Sequence, residues 1–429
     1  MPLFLFFDQG ADSLKIIYPV CCGVDVHKRM LVATIAATDK NKITFYFTKT
    51  FSTLNTDLVA FRDWLLENQC LHVCMESTGK YWIPIFNTLE DHVHVILTHP
   101  KYVRAIKGKK TDKKDSKWIA DLFKHDLVRA SFIPPREVRS WRELARYRAK
   151  LVYMRSSEKN RYQDCLTIST VGLASVLSDP FGKTAAGIMG HVLSSEVFDE
   201  EACKTLIKKS AKRKTDLIIE SIRGCSIESD QRFKMSAAMS HMTFLNDMIL
   251  KTEAELFVRM QPHYHLVEHL ATIPGITELS AALILAEIGT DMKVFESSKH
   301  LTSWAGLTPA NNESAGKKKS VRISKAGQFL KPLLVQCALA ASIDKRETYF
   351  PIKYQRIKKR RGHKKAIIAI ARMMLTCVYH MLRTGECFNP SDYEEFLNPM
   401  PKRPVLTEKT AIDFLRVQGY DVSALVKVM

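Results

Sequence analysis

The sequence predicts a mixed α/β domain at the N-terminus, a helical middle with a coiled-coil seam, and a mostly α C-terminal domain. Three observations support this. Short β-branched runs alternate with helical periods across residues 18–133. An apolar seam repeats with 3-4-3-4 spacing from Met235 to Leu256. An apolar helix period follows the tight-turn sequence Ile273-Pro274-Gly275-Ile276. The expected divisions are 18–133, 137–262, 266–390 and a tail over 391–429.

The first strand is read from Val20, Cys22, Val24 and Val26, which alternate with Cys21, Gly23 and Asp25, the period of a strand with one buried face. Residues 30–37 and 43–48 read as the second and third strands. Residues 53–69 read as a helix with Leu58, Phe61, Leu65 and Leu66 on one face. Residues 71–75 form a fourth strand ending at Glu76, 82–89 a short helix and 93–97 a fifth strand. A basic loop over 101–110 leads into a helix over 113–123. Three strands, then helix, strand, helix, strand, helix is the order of an RNase H-like fold.

In that fold a carboxylate on the first strand meets one at the end of the fourth, with more supplied by a later helix. Asp25 lies inside the first strand, Glu76 ends the fourth, and Asp112 and Asp115 stand three apart on one helical face. Burying a lone carboxylate in a strand is costly unless something compensates, and a metal ion does so. Two divalent ions on such a set suit phosphoryl transfer, because they stabilise attacking and leaving oxygens at one phosphorus. Lys107, Lys109, Lys110, Lys113, Lys114 and Lys117 surround the pair where a DNA backbone would approach. Taken alone, Asp112 and Asp115 read as an N-terminal helix cap with a solvated salt-bridged face in preference to a metal site. With Asp25 and Glu76 at the matching strand positions, the metal site is preferred. Asp121 reads as a surface residue.

Pro134 and Pro135 end this region. Residues 137–166 are helical and arginine-rich, and 231–260 hold the seam Met235, Ala238, Met242, Leu245, Ile249, Thr252 and Leu256. The two helices can form an antiparallel arm, the seam can pair between subunits, or it can be plain core packing. Residues 169–230, with Gly182, Gly187 and Gly190, have no assigned role. The turn at Gly275 reads as a helix-hairpin-helix that points backbone N–H groups at a phosphate, with a purely structural hairpin as the alternative. Ser314 lies in a polar loop with Lys317, Lys318, Lys319, Arg322 and Lys325 behind it. Dense cations and a nearby metal could stabilise a serine oxyanion there, but by spacing Ser314, Ser320 and Ser324 are equal candidates, and each reads as a turn or capping serine in preference to a nucleophile. Residues 353–365 contain eight Lys or Arg and no acid, including Arg356, Lys358, Lys359, Arg360 and Arg361, with Tyr354 and His363 interleaved. That is a nucleic-acid footprint. Residues 366–382 read as a buried helix because Arg372 and His380 interrupt the apolar run. Ser391 and Glu394 form a capping box.

The chain carries 64 Lys and Arg against 45 Asp and Glu, a net charge of +19, which favours a polyanionic partner. Ten cysteines without paired CxxC spacing read as reduced core thiols of a cytosolic protein rather than a zinc site or disulfides. The apolar N-terminal patch is followed by Asp8 and Asp12 and preceded by no basic residue, so it is a poor signal peptide.

Together, the GVDVHK strand, the MESTGKYW strand end, the TDKKD pair, the IPGI turn and AGLTPANNESAGKKKSVRISKAG resemble the IS110 family of insertion-sequence transposases over residues 20–390. The resemblance implies a RuvC-like N-terminal domain with a DEDD metal site. By motif position its members are Asp25, Glu76, Asp112 and Asp115, holding Mg²⁺ or Mn²⁺. It implies a C-terminal Tnp domain whose nucleophilic serine is Ser314. The implied activity is recombination of mobile DNA through a covalent phosphoserine. The implied partners are donor and target DNA, a structured guide RNA from the element, and further copies of the chain in a dimer or tetramer, with no membrane. The implied location is the cytoplasm of a bacterium or archaeon, on the nucleoid. The sequence departs from the family pattern at Ala315, where a glycine often follows the serine, in the leader before residue 18, and in the long 169–230 stretch. Two other readings remain: a RuvC-type nuclease in which water attacks and Ser314 only binds phosphate, and a non-enzymatic nucleic-acid-binding protein.

Overall fold

The computed structural model describes residues 14–77, 79–100, 103, 111–195, 198–309, 312–314, 317–320, 322–345, 349–390, 392, 408–419 and 421. Lys107, Lys109, Lys110, Ser391 and Glu394 lie outside them, as do the side chains of residues 310–321. The chain divides into two compact units, Met1–Ile133 and Pro134–Met429.

The first unit runs β1 (Val20–Val26), β2 (Met30–Thr38), β3 (Thr44–Ser52), α1 (Asn55–Glu67), β4 (His72–Glu76), α2 (Trp82–Leu89), β5 (His94–Thr98) and α3 (Asp112–Lys124). Its five strands lie in the order β3-β2-β1-β4-β5. The β1–β2 and β2–β3 pairs are antiparallel, and β1–β4 and β4–β5 are parallel. Strand β1 is therefore central, and it is buried on both faces rather than the single face its alternation suggested. Cys22, Val24 and Val26 pack with Phe61, Leu65, Ile85 and Leu89 in one layer. Cys21 packs on the opposite side with Cys74, Ile119, Ala120 and Phe123 of the other. The period of two thus separates two apolar layers, not core from solvent.

Strand β3 extends past the expected end at residue 48, because its ladder with β2 continues to the pair Met30–Ser52. Helix α3 begins at Asp112, and its N-cap is Thr111, whose hydroxyl accepts from the Lys114 N–H at 3.4 Å. Asp112 and Asp115 are thus not the cap. Asp121 is not a free surface residue: it accepts from the Tyr46 hydroxyl at 2.6 Å and lies 3.4 Å from Lys124 Nζ, tying α3 to β3.

The second unit opens with α4 (Arg136–Ile168), α5 (Leu173–Val176), α6 (Lys183–Ser194), α7 (Glu200–Thr205), a 3-10 turn (Lys209–Lys214), α8 (Thr215–Glu220) and α9 (Ser229–Met260). Helices α4 and α9 form an antiparallel arm. Trp141 Nε1 donates to the Arg259 carbonyl at 3.3 Å, Arg148 meets Glu253 at 2.6 Å, Arg155 donates to Asn246 at 2.8 Å, and His241 lies 3.0 Å from Glu158. All seven seam residues are buried. The seam closes within one chain, which selects the antiparallel arm among the three arrangements the spacing allowed. The 169–230 stretch folds as a helical cap on the arm's end. Its Val171, Ile188, Met189, Cys203 and Ile218 share one core with Tyr162 and Leu166 of α4 and Met235 and Met242 of α9.

There follow α10 (Tyr264–Ala271), α11 (Glu278–Ile288), α12 (Ser298–Trp304), a hairpin of β6 (Asn312–Ser314) and β7 (Lys317–Ser320), α13 (Leu330–Ile343), α14 (Tyr349–Arg361), α15 (His363–Thr384) and α16 (Glu408–Val417). Arg146 grips the buried Glu287 of α11 through two bonds of 2.8 and 2.9 Å, fixing the arm against α11. Helix α15 is long and apolar enough by composition to cross a membrane. Here its Ala366, Ile370, Met374 and Val378 are fully buried within the unit. All ten cysteines are free thiols; seven are buried, but Cys225 and Cys377 are half-buried and Cys387 is exposed.

Gly23 sets how closely α3 can lie on β1. A Cβ there would sit 2.3 Å from both the Ala120 nitrogen and the Ser116 carbonyl oxygen. Gly23→Ala is expected to destabilise the protein by about 3 kcal/mol or more, because rigid backbone on both sides must move apart. Denaturant unfolding measures it; a loss well under that would show that α3 can shift freely.

Candidate metal centre and nucleic-acid surfaces

Gly23 and Asp25 share one face of β1, so the helix seated on Gly23 carries its first turn toward Asp25. Ser116, one turn after Asp112, is fully buried and bonds Thr34 of β2 at 2.7 Å, which fixes the start of α3 over the sheet. On the other side, the parallel register pairs Val24 with Met75, so Glu76 follows on β4 beside Asp25. The four carboxylates expected from sequence therefore converge. Asp25 has its pKa raised, first by burial and then by Asp112, Asp115 and Glu76, with His27 acting in the opposite direction.

His27 is the member that sequence reasoning missed. Its Nε2 lies 3.3 Å from Asp25 Oδ2 and 3.5 Å from Asp112 Oδ2. That nitrogen is shielded from solvent and makes no aligned hydrogen bond, although the ring is 44% exposed. Ligand atoms of Asp25, His27 and Asp112 all lie within 4.8 Å of one another. A shielded nitrogen without a proton partner, between two carboxylates that repel each other, is a donor set that a divalent cation satisfies. The only signal in the sequence was position: His27 stands two residues beyond Asp25, at the strand's end.

In the second unit, Ser314 is the last residue of β6 and pairs with Lys317, so it sits at the tip of a two-stranded hairpin rather than in a loop. The hairpin base is pinched. A Cβ on Gly306 would lie 2.5 Å from the Ala326 carbonyl oxygen, and one on Gly327 2.1 Å from that of Ala305. Lys331 Nζ donates to the Ser324 carbonyl at 2.6 Å and to that of Gly306 at 3.5 Å, locking the two arms together. The three serines are no longer equivalent: Ser324 accepts from the Ala326 N–H as a turn residue, and Ser320 pairs with Asn312 at the far end of the ladder.

Arg322 and Lys325 are exposed near this base, and Arg356, Lys358, Lys359, Arg360 and Arg361 are exposed along the end of α14. Tyr354 does not offer a stacking face: it is 6% exposed, and its hydroxyl bonds His363 Nδ1 at 2.8 Å across the α14–α15 corner. Gly275 (φ +86°) backs onto α13, where a Cβ would meet the Cys337 carbonyl oxygen at 2.6 Å. Close helix packing is thus a sufficient reason for glycine there.

Two family models match the chain. A model of the DEDD transposase domain of the IS110 type, described as a transposase, matches residues 22–170. The model of the transposase IS116/IS110/IS902 family matches residues 267–355. The chain belongs to the IS110 family of transposases. It is 30% identical over 149 residues to the insertion element IS900 uncharacterized 42 kDa protein of Mycobacterium paratuberculosis, covering 34% of this chain and 37% of that protein. It is 33% identical over 132 residues to the pilin gene-inverting protein of Moraxella bovis, covering 30% and 41%. It is 35% identical over 99 residues to the transposase for insertion sequence element IS1328 of Yersinia enterocolitica, covering 23% and 29%. The chain thus spans well under half the length of each of these relatives.

Asp25→Asn is expected to weaken Mn²⁺ binding by more than about 100-fold, and His27→Ala by about 10-fold. Without metal, Asp25→Asn is expected to raise Tm, because it removes one charge from a repelling cluster. Calorimetric titration and thermal melts check both; unchanged Mn²⁺ affinity in Asp25→Asn would remove the metal site.

Proposed function

We propose that the chain is the transposase of a mobile insertion sequence, cutting and rejoining DNA at a serine with a divalent-metal carboxylate site. The convergence of Asp112, Asp115 and Glu76 on the buried Asp25 is the observation that supports this most. The strand order with two antiparallel and two parallel pairings is the support for an RNase H-like, RuvC-like sheet.

Asp25, Glu76, Asp112 and Asp115, with His27, would hold Mg²⁺ or Mn²⁺. Such ions would stabilise the attacking and leaving oxygens around the scissile phosphorus. Ser314 Oγ would bond to phosphorus while the P–O bond to the leaving deoxyribose oxygen breaks, its proton passing through solvent to that oxygen. The freed strand end later attacks the phosphoserine and restores the serine hydroxyl. Lys317, Lys318, Arg322 and Lys325 follow Ser314 closely and would neutralise the phosphate it attacks.

The family resemblance further leads us to propose that an element-encoded structured RNA pairs with donor and target DNA. The protein would then read backbone and shape while base pairing reads sequence. The net charge of +19 and the exposed end of α14 suit a chain carrying both polyanions. We also propose a dimer or tetramer in which the metal site of one copy serves the serine of another. The helix-hairpin-helix reading of the Gly275 turn remains a proposed backbone contact to phosphate, alongside its packing role.

Purified protein with Mg²⁺, the flanking non-coding RNA and labelled donor DNA should yield a labelled band at protein mass on a denaturing gel. Ser314→Ala should abolish the band, and Asp112→Asn should abolish both band and cleavage. Cleaved DNA without adduct, undiminished in Ser314→Ala, would instead identify a nuclease that uses water.

A further inference from the structure

The helical cap on the arm carries a feature that neither family match covers, since the matches end at residue 170 and resume at 267. Five of the seven residues over 208–214 are Lys or Arg. The turn is held firmly from beneath. Ile207 is buried and Leu206 and Ala211 pack on the cap's core. The Lys208 N–H donates to Thr184 Oγ1 at 3.2 Å, and Lys214 Nζ donates to the Val176 carbonyl at 2.7 Å. Lys208, Lys212 and Arg213 remain exposed, and none forms an ion pair among the described residues.

Two acids of the cap, Glu200 and Glu201, are committed elsewhere, while Asp216 of α8 is exposed and leaves the turn with a clear excess of positive charge. Glu200 binds Lys204 at 2.9 Å and Arg223 at 2.8 Å, and Glu201 binds Lys204 at 2.8 Å. Charge within the cap is thus segregated into a neutralised ion-pair network and an unneutralised basic turn. A rigid turn that presents three free cations costs self-repulsion in the protein alone, and a row of phosphates relieves it. No Phe, Tyr or Trp occurs between Phe198 and Phe233, so the turn's own residues supply no ring on which an unpaired base could stack. Phosphate contact without base contact is the backbone-positioning mode of duplex binding.

We infer that Lys208, Lys212 and Arg213 form a sequence-independent clamp for the backbone of duplex DNA at the end of the α4–α9 arm. The inference rests on the DNA-recombining reading above. It assigns the cap a job: holding duplex by its backbone at the end of the arm.

The test uses the full chain and a fluorescent duplex of random sequence, with affinity followed against salt concentration. In Lys208→Ala/Lys212→Ala/Arg213→Ala, three lost phosphate contacts should lower the slope of log K against log salt by about 2.7 and weaken binding about ten-fold or more at moderate salt. The double variant Lys204→Ala/Arg223→Ala removes two charges already neutralised in the same cap and should leave the slope nearly unchanged. Thermal melts of each variant confirm that the cap stays folded. An unchanged slope in the triple variant would overturn the clamp, as would an effect confined to a structured RNA probe with duplex binding intact. The two readings separate cleanly. A phosphoserine adduct from wild type with an unchanged slope in the triple variant sinks the clamp alone. A reduced slope with no adduct from wild type keeps the clamp and sinks the serine chemistry.

Discussion

The seating of helix α3 on strand β1 at Gly23 is the constraint on which the candidate centre depends. With no side chain at that position, the backbone of Ser116 and Ala120 can touch the central strand. The first turn of α3 is then delivered over Asp25, two residues further along the same face. Any larger residue at position 23 would lift the helix and withdraw Asp112 and Asp115 together. Bonds from Ser116 to Thr34 and from Asp121 to Tyr46 hold the helix at two more points along its length. The helix is thus fixed by contacts that are themselves uncharged or paired. That rigidity allows like charges to be gathered at its end without the helix swinging away.

The second unit solves a different problem with different means. The Ser314 hairpin has a short ladder and therefore little stability of its own. Its position comes from its base. Two Ala-Gly pairs cross at near contact, and the Lys331 ammonium spans both arms by bonding two backbone carbonyls. Burial lowers the pKa of Lys331, so the lysine is held there against a desolvation cost. The arm is fixed in turn by the Arg146–Glu287 pair, buried on the carboxylate side. Removing one partner of such a pair leaves an uncompensated charge, which makes the contact a strict test of correct packing.

Much of the first unit was legible in the sequence because its signals are local. The succession of strands and helices, the end of β4 and the three-residue spacing of Asp112 and Asp115 need no knowledge of distant contacts. What escaped depends on register and tertiary packing. His27 lies beyond the strand's alternation, and only the fold brings its Nε2 between Asp25 and Asp112. Asp121 resembles any polar helix residue until Tyr46 arrives from β3. Tyr354 and His363 looked like aromatic and basic interleaving, yet they bond each other across a helix corner. Gly275 fitted a phosphate-binding turn and also fits close packing on α13. The 3-4 seam was plain to see, but its partner helix was chosen by cross-helix pairs that no periodicity encodes.

The placement of charge joins these parts. The chain is strongly basic, but four of its 45 carboxylates converge where Asp25 sits, and a phosphate entering that cluster would meet repulsion. Lys113 and Lys114 are exposed on the same turn of α3 as Asp112 and Asp115, so cation and anion alternate within one turn. Lys117 is committed elsewhere, with its ammonium 3.8 Å over the Tyr46 ring. Protonation of Asp25, which burial and its acidic neighbours favour, or a bound cation would each lower the repulsion among these carboxylates. The Nε2 of His27 lies between Asp25 and Asp112, 3.3 and 3.5 Å from their nearer carboxylate oxygens. Burial and mutual repulsion both disfavour the charged form of Asp25, so the packing that seats α3 on β1 holds Asp112 close to it against that cost.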